Sequence, residues 1–168
     1  MTGIPLSMRQ RLIDLLPRLR RFARTLVRHD ADADDVVQIA LERALERFEQ
    51  WQPDTRLDCW MYAIIRNAWI DELRARKRRG AQVDIDDFRE LIPAKGTETA
   101  TELEAVRYAM AQLPEEQRTA VSLVLIEGLS YKEAAATMQI PIGTLTSRLA
   151  RGREALQKLL GEPAQAAS

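Results

Sequence analysis

Few residues in this chain are suited to making or breaking bonds, and many are suited to holding nucleic acid. His29 is the only histidine and Cys59 the only cysteine. His29 has no partner at metal-ligand spacing. No glycine-rich phosphate loop, His-Glu zinc motif or nucleophile elbow occurs. The carboxylates fall where helix caps and helix surfaces want them. Catalysis of its own, a bound metal and a cofactor are therefore not expected. The chemistry on offer is that of short hydrogen-bonding side chains with arginine: Thr146, Ser147 and Arg151, with Ala150 among them. Small polar groups on one helix face, with arginine in reach, suit base edges and phosphates.

Something must position that face, and residues 129–156 contain the parts. Ser130, with Glu133 three residues on, is a capping box for a short helix. Gln139, Ile140, Pro141, Ile142 and Gly143 make a tight turn, and Pro141 can start a second helix. At about 100° per residue, Ile142, Leu145, Leu149, Leu156 and Leu159 share one face. Gly143, Thr146, Ser147, Ala150, Arg151 and Glu154 share the opposite one. Two short helices across a tight turn form a helix-turn-helix, whose second helix enters a DNA major groove. The same pattern fits an ordinary helical hairpin in a bundle.

The rest of the chain bounds the possibilities. It has 168 residues, 25 basic and 25 acidic, for zero formal charge, which disfavours a simple nucleic-acid coating protein. Aromatics are only 5%, and no stretch alternates over a strand's length, so the fold is read as all-α. A single cysteine permits no internal disulfide and fits a reducing cytoplasm. No signal-peptide core or membrane-length apolar run is seen. Leu12, Leu15, Leu16, Leu19, Phe22, Ala23 and Leu26 form a first stripe that Pro17 kinks or restarts. A second helix is N-capped by Asp32, has Asp34 and Asp35 in its first turn, and runs to about Glu49. After a loop at 50–58, a third carries Trp60, Met61, Ile64, Ile65, Ala68 and Leu73 inward. It ends in the basic run Arg74, Arg76, Lys77, Arg78, Arg79. Residues 81–101 read as a flexible acidic linker with a short helical turn at 86–91. A helix at 102–112 turns Leu103, Val106, Ala109 and Met110 inward. Another starts early with Pro114, has Val121, Val124 and Leu125 inward and ends at Gly128. The expected organisation is two small helical domains, 1–80 and 102–161, with the linker between them and a frayed tail at 162–168.

Three segments in that order resemble the extracytoplasmic-function (group IV) sigma factors of bacterial RNA polymerase, over nearly the whole chain. They are Asp34-Asp35-Val36-Val37-Gln38; residues 60–71, with Trp60, Tyr62, Arg66 and Asn67; and Leu113-Pro114-Glu115-Glu116-Gln117-Arg118 followed by the helix-turn-helix. Leu16, Pro17, Arg18, Leu19, Arg20, Arg21, Phe22 and Ala23 are further similar to the alphaproteobacterial general-stress-response branch. The resemblance implies a promoter-specificity subunit. A region-two domain would dock on the clamp helices of the largest polymerase subunit through Asp34, Asp35, Val36, Val37 and Gln38. Ile39 stands where the family often has an acid. Trp51, Ile64 and Asn67 match a pocket for a base flipped from the minus-ten element. Arg74, Arg76 and Lys77 would attract nearby phosphates. Trp60 and Tyr62 match positions that serve packing as well as DNA. A region-four domain would hold the second large subunit's flap. It would read the minus-thirty-five groove through Thr146, Ser147, Ala150 and Arg151, with Thr144 and Arg148 on phosphates. The resemblance also implies an anti-sigma partner and an acidic linker path through the polymerase channel. Two rivals stay open: a two-domain helix-turn-helix regulator, which leaves residues 60–71 without a purpose, and a sigma mimic that binds an anti-sigma factor and never touches DNA.

Overall fold

The computed structural model describes residues 3–80 and 98–161. In chain order its helices are α1 (Leu6–Leu26), α2 (Asp30–Glu46), α3 (Leu57–Arg78), α4 (Glu98–Gln112), α5 (Glu115–Val121), α6 (Tyr131–Met138) and α7 (Ile142–Leu160). No strand occurs among the described residues. The expected linker turn at 86–91 and the tail lie outside them.

Helix α1 runs through Pro17 as one element. Proline removes a bond to the carbonyl four residues back, here that of Ile13. Both residues lie on the exposed side of α1, where water can serve that carbonyl. Helix α2 opens at Asp30, earlier than the expected cap at Asp32, with His29 as N-cap. The Asp32 carboxylate does not cap. It accepts a hydrogen bond from Arg76 Nη2 at 2.7 Å, and with Asp30 it places negative charge in the first turn. A 3₁₀ turn at Phe48–Gln50 ends α2 short of Glu49. In α3 the buried set is Leu57, Asp58, Met61, Tyr62, Ile65, Ala68 and Trp69. This is wider than the single stripe expected, because α3 is packed by α1 and α2 and also by α6.

The C-terminal helices depart further from the simple stripes. Helix α4 begins four residues upstream of the expected position. Only its last turns are covered, where Met110 and Leu113 meet Val121 and Leu149. Leu103 and Val106 are therefore exposed rather than inward, Leu103 at 64%. Pro114 is the N-cap of α5, not an early helical residue. Beyond α5 comes a π turn, Ser122–Ile126, in which Glu127 N–H reaches back to Ser122 O at 2.9 Å. The wide turn adds a residue to the helical repeat. It rotates Leu125, expected inward, to 47% exposure and brings Ser122 and Glu127 inside.

The capping box of α6 is present in both directions: Glu133 N–H donates to Ser130 Oγ and Ser130 N–H to Glu133 Oε2. Gln139 ends α6 in the left-handed region, φ 55°. Ile140 N–H bonds Ala135 O and Gln139 N–H bonds Ala136 O, the two bonds of a Schellman motif. Pro141 is the N-cap of α7, one residue outside the helix. The buried residues of α7 are Leu145, Leu149 and Gly152. Ile142 and Leu159, expected inward, are exposed at its two ends. A main core passes from α1–α3 into Ala120, Leu123, Leu129, Ala134, Met138 and Leu145. The N-terminal three-helix unit and the helix-turn-helix unit are thus packed on one another, α6 against α3 and α5 against α1.

Candidate nucleic-acid interface

The helix-turn-helix presents its second helix from a rigid seat. A Cβ on Gly152 would lie 2.7 Å from Val121 Cγ2, so the absence of a side chain lets α7 sit close on α5. Outside, Gly143, Thr146, Ser147, Ala150, Arg151 and Glu154 are all exposed. Thr146 Oγ1 donates to Ile142 O of its own helix at 2.9 Å, which leaves its methyl and lone pairs outward. Thr144 is half-buried. Arg148 is half-buried too and pairs with Glu116 at 3.1 Å. Arg151 has no such carboxylate among the ion pairs of the described residues, so its guanidinium is available.

In the N-terminal unit the expected base pocket is unevenly open. Asn67 is exposed and Ile64 half-buried. Trp51 is only 8% exposed. The Arg11 guanidinium covers its ring, 5.4 Å from the centroid, and its buried Nε1 finds no partner among the described residues. Phe48 supports the ring from 6.1 Å. Arg74 and Lys77 at the end of α3 are exposed. Arg76 differs from them: it is bound by Asp32 and Glu72 and stacks over Trp69. The hydrogen bonds to Asp32, foremost, raise its pKa further. Its place is the α2–α3 seam rather than the open basic patch with which its sequence neighbours group it. On α2, Asp34, Asp35 and Gln38 are exposed while Val36 and Val37 are core. Asp35 and Gln38 line a cleft of about 280 Å³ with Ile39, Glu42 and Arg76.

A second polar system joins the two units, and periodicity had placed none of it. Glu127 accepts from Arg21 Nε at 2.9 Å, from Arg21 Nη2 at 2.8 Å and from Tyr62 Oη at 2.8 Å. Burial, and then the bond to Glu127, push the Tyr62 hydroxyl well above its ordinary range, so it remains a donor. Asp58 accepts from Arg18 and Arg56, and Arg56 also donates to Glu133. Burial alone would raise the Asp58 carboxyl; Arg56, Cys59 N–H and Arg18 together hold it below its usual range. One local signal existed: Ser122 and Glu127 bracket an otherwise apolar run. Nearby, burial pushes the Cys59 thiol up to about 11, so it is not a reactive thiolate. Burial, with Arg28 beside it, brings Arg118 down to about 10, still charged at neutral pH.

Comparison with known proteins bears on these surfaces. The Sigma-70 region 2 family matches residues 12–79, and the Sigma-70 region 4 family matches residues 103–156. The chain is 36% identical over 154 residues to the ECF RNA polymerase sigma factor EcfG of Rhodopseudomonas palustris, covering 92% of this chain and 85% of that one. It is 39% identical over 145 residues to the RNA polymerase sigma-H factor of Pseudomonas aeruginosa, covering 79% and 75%. A solved structure of the sigma factor RpoE in complex with the anti-sigma factor NepR from Bartonella quintana is similar in fold. Its TM-score is 0.81 at 30% identity, over 92% of this chain and 96% of that one. Among the described residues, no helix is long and apolar enough to cross a membrane. The chain belongs to the extracytoplasmic-function sigma factors, the subunits that give bacterial RNA polymerase its promoter specificity.

Proposed function

We propose that this protein binds core RNA polymerase, reads a minus-ten and a minus-thirty-five element through its two units, and assists DNA melting without catalysing a reaction itself. The observation that carries the reading is the outer face of α7. Thr146, Ser147, Ala150 and Arg151 are exposed on a helix whose opposite side is locked to α5 by Leu149 and Gly152. Short side chains let the helix approach base edges closely, and Arg151 supplies the long donor. Thr144 and Arg148 flank that face for phosphates. In the N-terminal unit, Asn67 offers an amide to the edge of an extruded base, with Ile64 and Trp51 as apolar walls. Arg74 and Lys77 serve the phosphates beside it. Asp34, Asp35 and Gln38 present an acidic, hydrogen-bonding edge over the Val36–Val37 core, suited to a basic coiled coil on the polymerase clamp.

An anti-sigma factor is part of the same reading. Between α1 and α4 lies a cleft of about 320 Å³. Leu103, Val106 and Met110 floor it, and Arg21, Arg24 and Arg107 rim it. An amphipathic helix with acidic flanks fits that chemistry. The segment from Leu16 to Ala23 supports placement in the general-stress branch.

The test is transcription with purified core polymerase on a fork-junction promoter. Run-off product is expected only when this protein is added. Asn67→Ala should weaken minus-ten discrimination and leave core binding intact. Failure of the wild type to bind core polymerase would overturn the proposal.

A further inference from the structure

Trp51 is the aromatic wall expected for the minus-ten base pocket, yet its ring is not the surface that a base would meet. The residue is only 8% exposed. Phe48 lies against it, the ring centroids 6.1 Å apart and the planes inclined by 33°. The Arg11 guanidinium carbon stands 5.4 Å over the Trp51 centroid, within the range in which a cation is attracted to a ring face. Arg11 itself is exposed. The outer layer at this place is therefore a planar cation backed by an indole. Arg11, Phe48 and Trp51 all belong to the N-terminal unit, so the stack does not depend on the helix-turn-helix unit.

The surroundings leave that cation uncommitted. Arg11 lines a cleft of about 410 Å³ with Asp14, Arg18, Arg56, Leu57 and Asp58. Arg18 and Arg56 are both held by Asp58, at 2.9 Å and 2.7 Å. Asp14 accepts from Gln10 Nε2 at 2.9 Å. Arg11 makes no ion pair among the described residues. The cleft reaches Leu57, where the loop at 50–58 gives way to α3, the helix that carries Ile64 and Asn67. A free guanidinium plane thus stands at the edge of the segment expected to take a base.

We propose that Arg11 is the platform on which the base extruded from the minus-ten element stacks, with Trp51 stiffening it from beneath. This rests on the promoter-reading role above and replaces direct contact with Trp51 at one wall of the pocket. Unstacked bases stack on guanidinium planes as they do on aromatic rings, and the charge adds attraction for the π-face. The edge N–H groups of the same plane remain for a phosphate beside the extruded nucleotide. A lysine ammonium supplies the charge but not the plane. Every base has a π-face, so stacking is tolerant of sequence. Arg11 accordingly sets how tightly the base is held, and the choice among bases is left to the Asn67 amide.

The experiment uses holoenzyme assembled from core polymerase and the full chain. Its DNA is a fork-junction promoter with an abasic nucleotide placed in turn at each non-template position of the minus-ten element. For the wild type, one position should carry a loss of about tenfold when its base is removed. Arg11→Lys keeps the charge and removes the plane. It should bind intact DNA about tenfold more weakly than the wild type and lose nothing further at that abasic position. Arg11→Ala should bind intact DNA at least as weakly. Equal sensitivity of the wild type and Arg11→Lys to the missing base would overturn the platform. Tighter binding by Arg11→Ala would also overturn it and make the arginine a lid over Trp51. Arg11 is exposed, so both variants keep the core, which circular dichroism checks; if Arg11→Ala loses helix content, Arg11→Lys decides. Holoenzyme that forms but has no base-sensitive position would overturn the platform alone, whereas failure of holoenzyme to form would overturn the promoter-reading role and the platform with it.

Discussion

Gly152→Ala tests how the recognition helix is seated. The new Cβ would lie 2.7 Å from Val121 Cγ2 and 3.4 Å from Gln117 O. Carbon atoms prefer about 3.5–4.0 Å, so α7 or Val121 must yield by about 1 Å. Val121 is 2% exposed, and as a β-branched residue in a helix it has one strongly preferred rotamer. Overpacking of this kind costs about 1–3 kcal/mol. Alanine in place of glycine in a helix returns about 1 kcal/mol. The net expectation is a loss of about 1 kcal/mol, with α7 shifted at the position next to Arg151. Val121→Ala alone removes two methyl groups, about 1.6 kcal/mol at about 0.8 each. In the double variant the methyl introduced by Gly152→Ala occupies space that Val121 Cγ2 vacates, so the pair should cost less than the sum by about 1–2 kcal/mol. Urea denaturation followed by circular dichroism measures the cycle, and hydrogen exchange of α7 localises it. Additivity within about 0.5 kcal/mol would refute the claim that this contact limits how closely α7 approaches α5.

Three further outcomes follow from neighbouring features. Gln139 holds a left-handed backbone at φ 55°, so Gln139→Gly should raise stability by about 0.5–1 kcal/mol; a lower melting temperature would mean that the glutamine side chain contributes more than its strain costs. The Ser130 N–H, first, and then Arg56 hold the Glu133 carboxyl below its ordinary range. A depressed carboxylate contributes stability above its unfolded pKa and loses it as pH falls through the folded one. The urea midpoint of the wild type should thus exceed that of Glu133→Gln at neutral pH, and the gap should close in acid. A gap independent of pH would exclude the charge as its cause. Arg151→Ala should cost about 1–3 kcal/mol of minus-thirty-five binding and relax preference at one base pair, read by anisotropy on matched and mismatched duplexes; a uniform loss over all sequences would make Arg151 a phosphate contact.

What was legible in the sequence is what short range determines. The capping box needs only Ser130 and Glu133. The outward placement of Thr146, Ser147, Ala150 and Arg151 needs only the helical period. The same period misplaced Leu125, because the π turn at Ser122–Ile126 changes the repeat within a single turn and the period cannot register that. It misplaced Leu103 and Val106 for another reason. An apolar stripe shows that a face can be buried, not that a partner extends far enough to cover it, and the core beside α4 reaches only Met110 and Leu113. Trp51 could be named from the resemblance, but Arg11 above it is 40 residues away in sequence and left no local mark.

The polar residues carry a sharper lesson. Arg18 and Arg21 fall on the polar side of the first stripe and Asp58 at the end of the loop before α3, yet they meet Glu127 and Arg56 across or beside the seam between the two units. Arg21 and Glu127 stand 106 positions apart, so no window of sequence contains both. The charged side chain of Glu127 sits between Ile126 and Gly128, where an isolated helix-turn-helix would expose it. Its burial therefore follows from the presence of the other unit rather than from its own. The face proposed for the minus-thirty-five groove was visible because it lies on one helix, whereas the residues that join the two units become visible only when both are seen together.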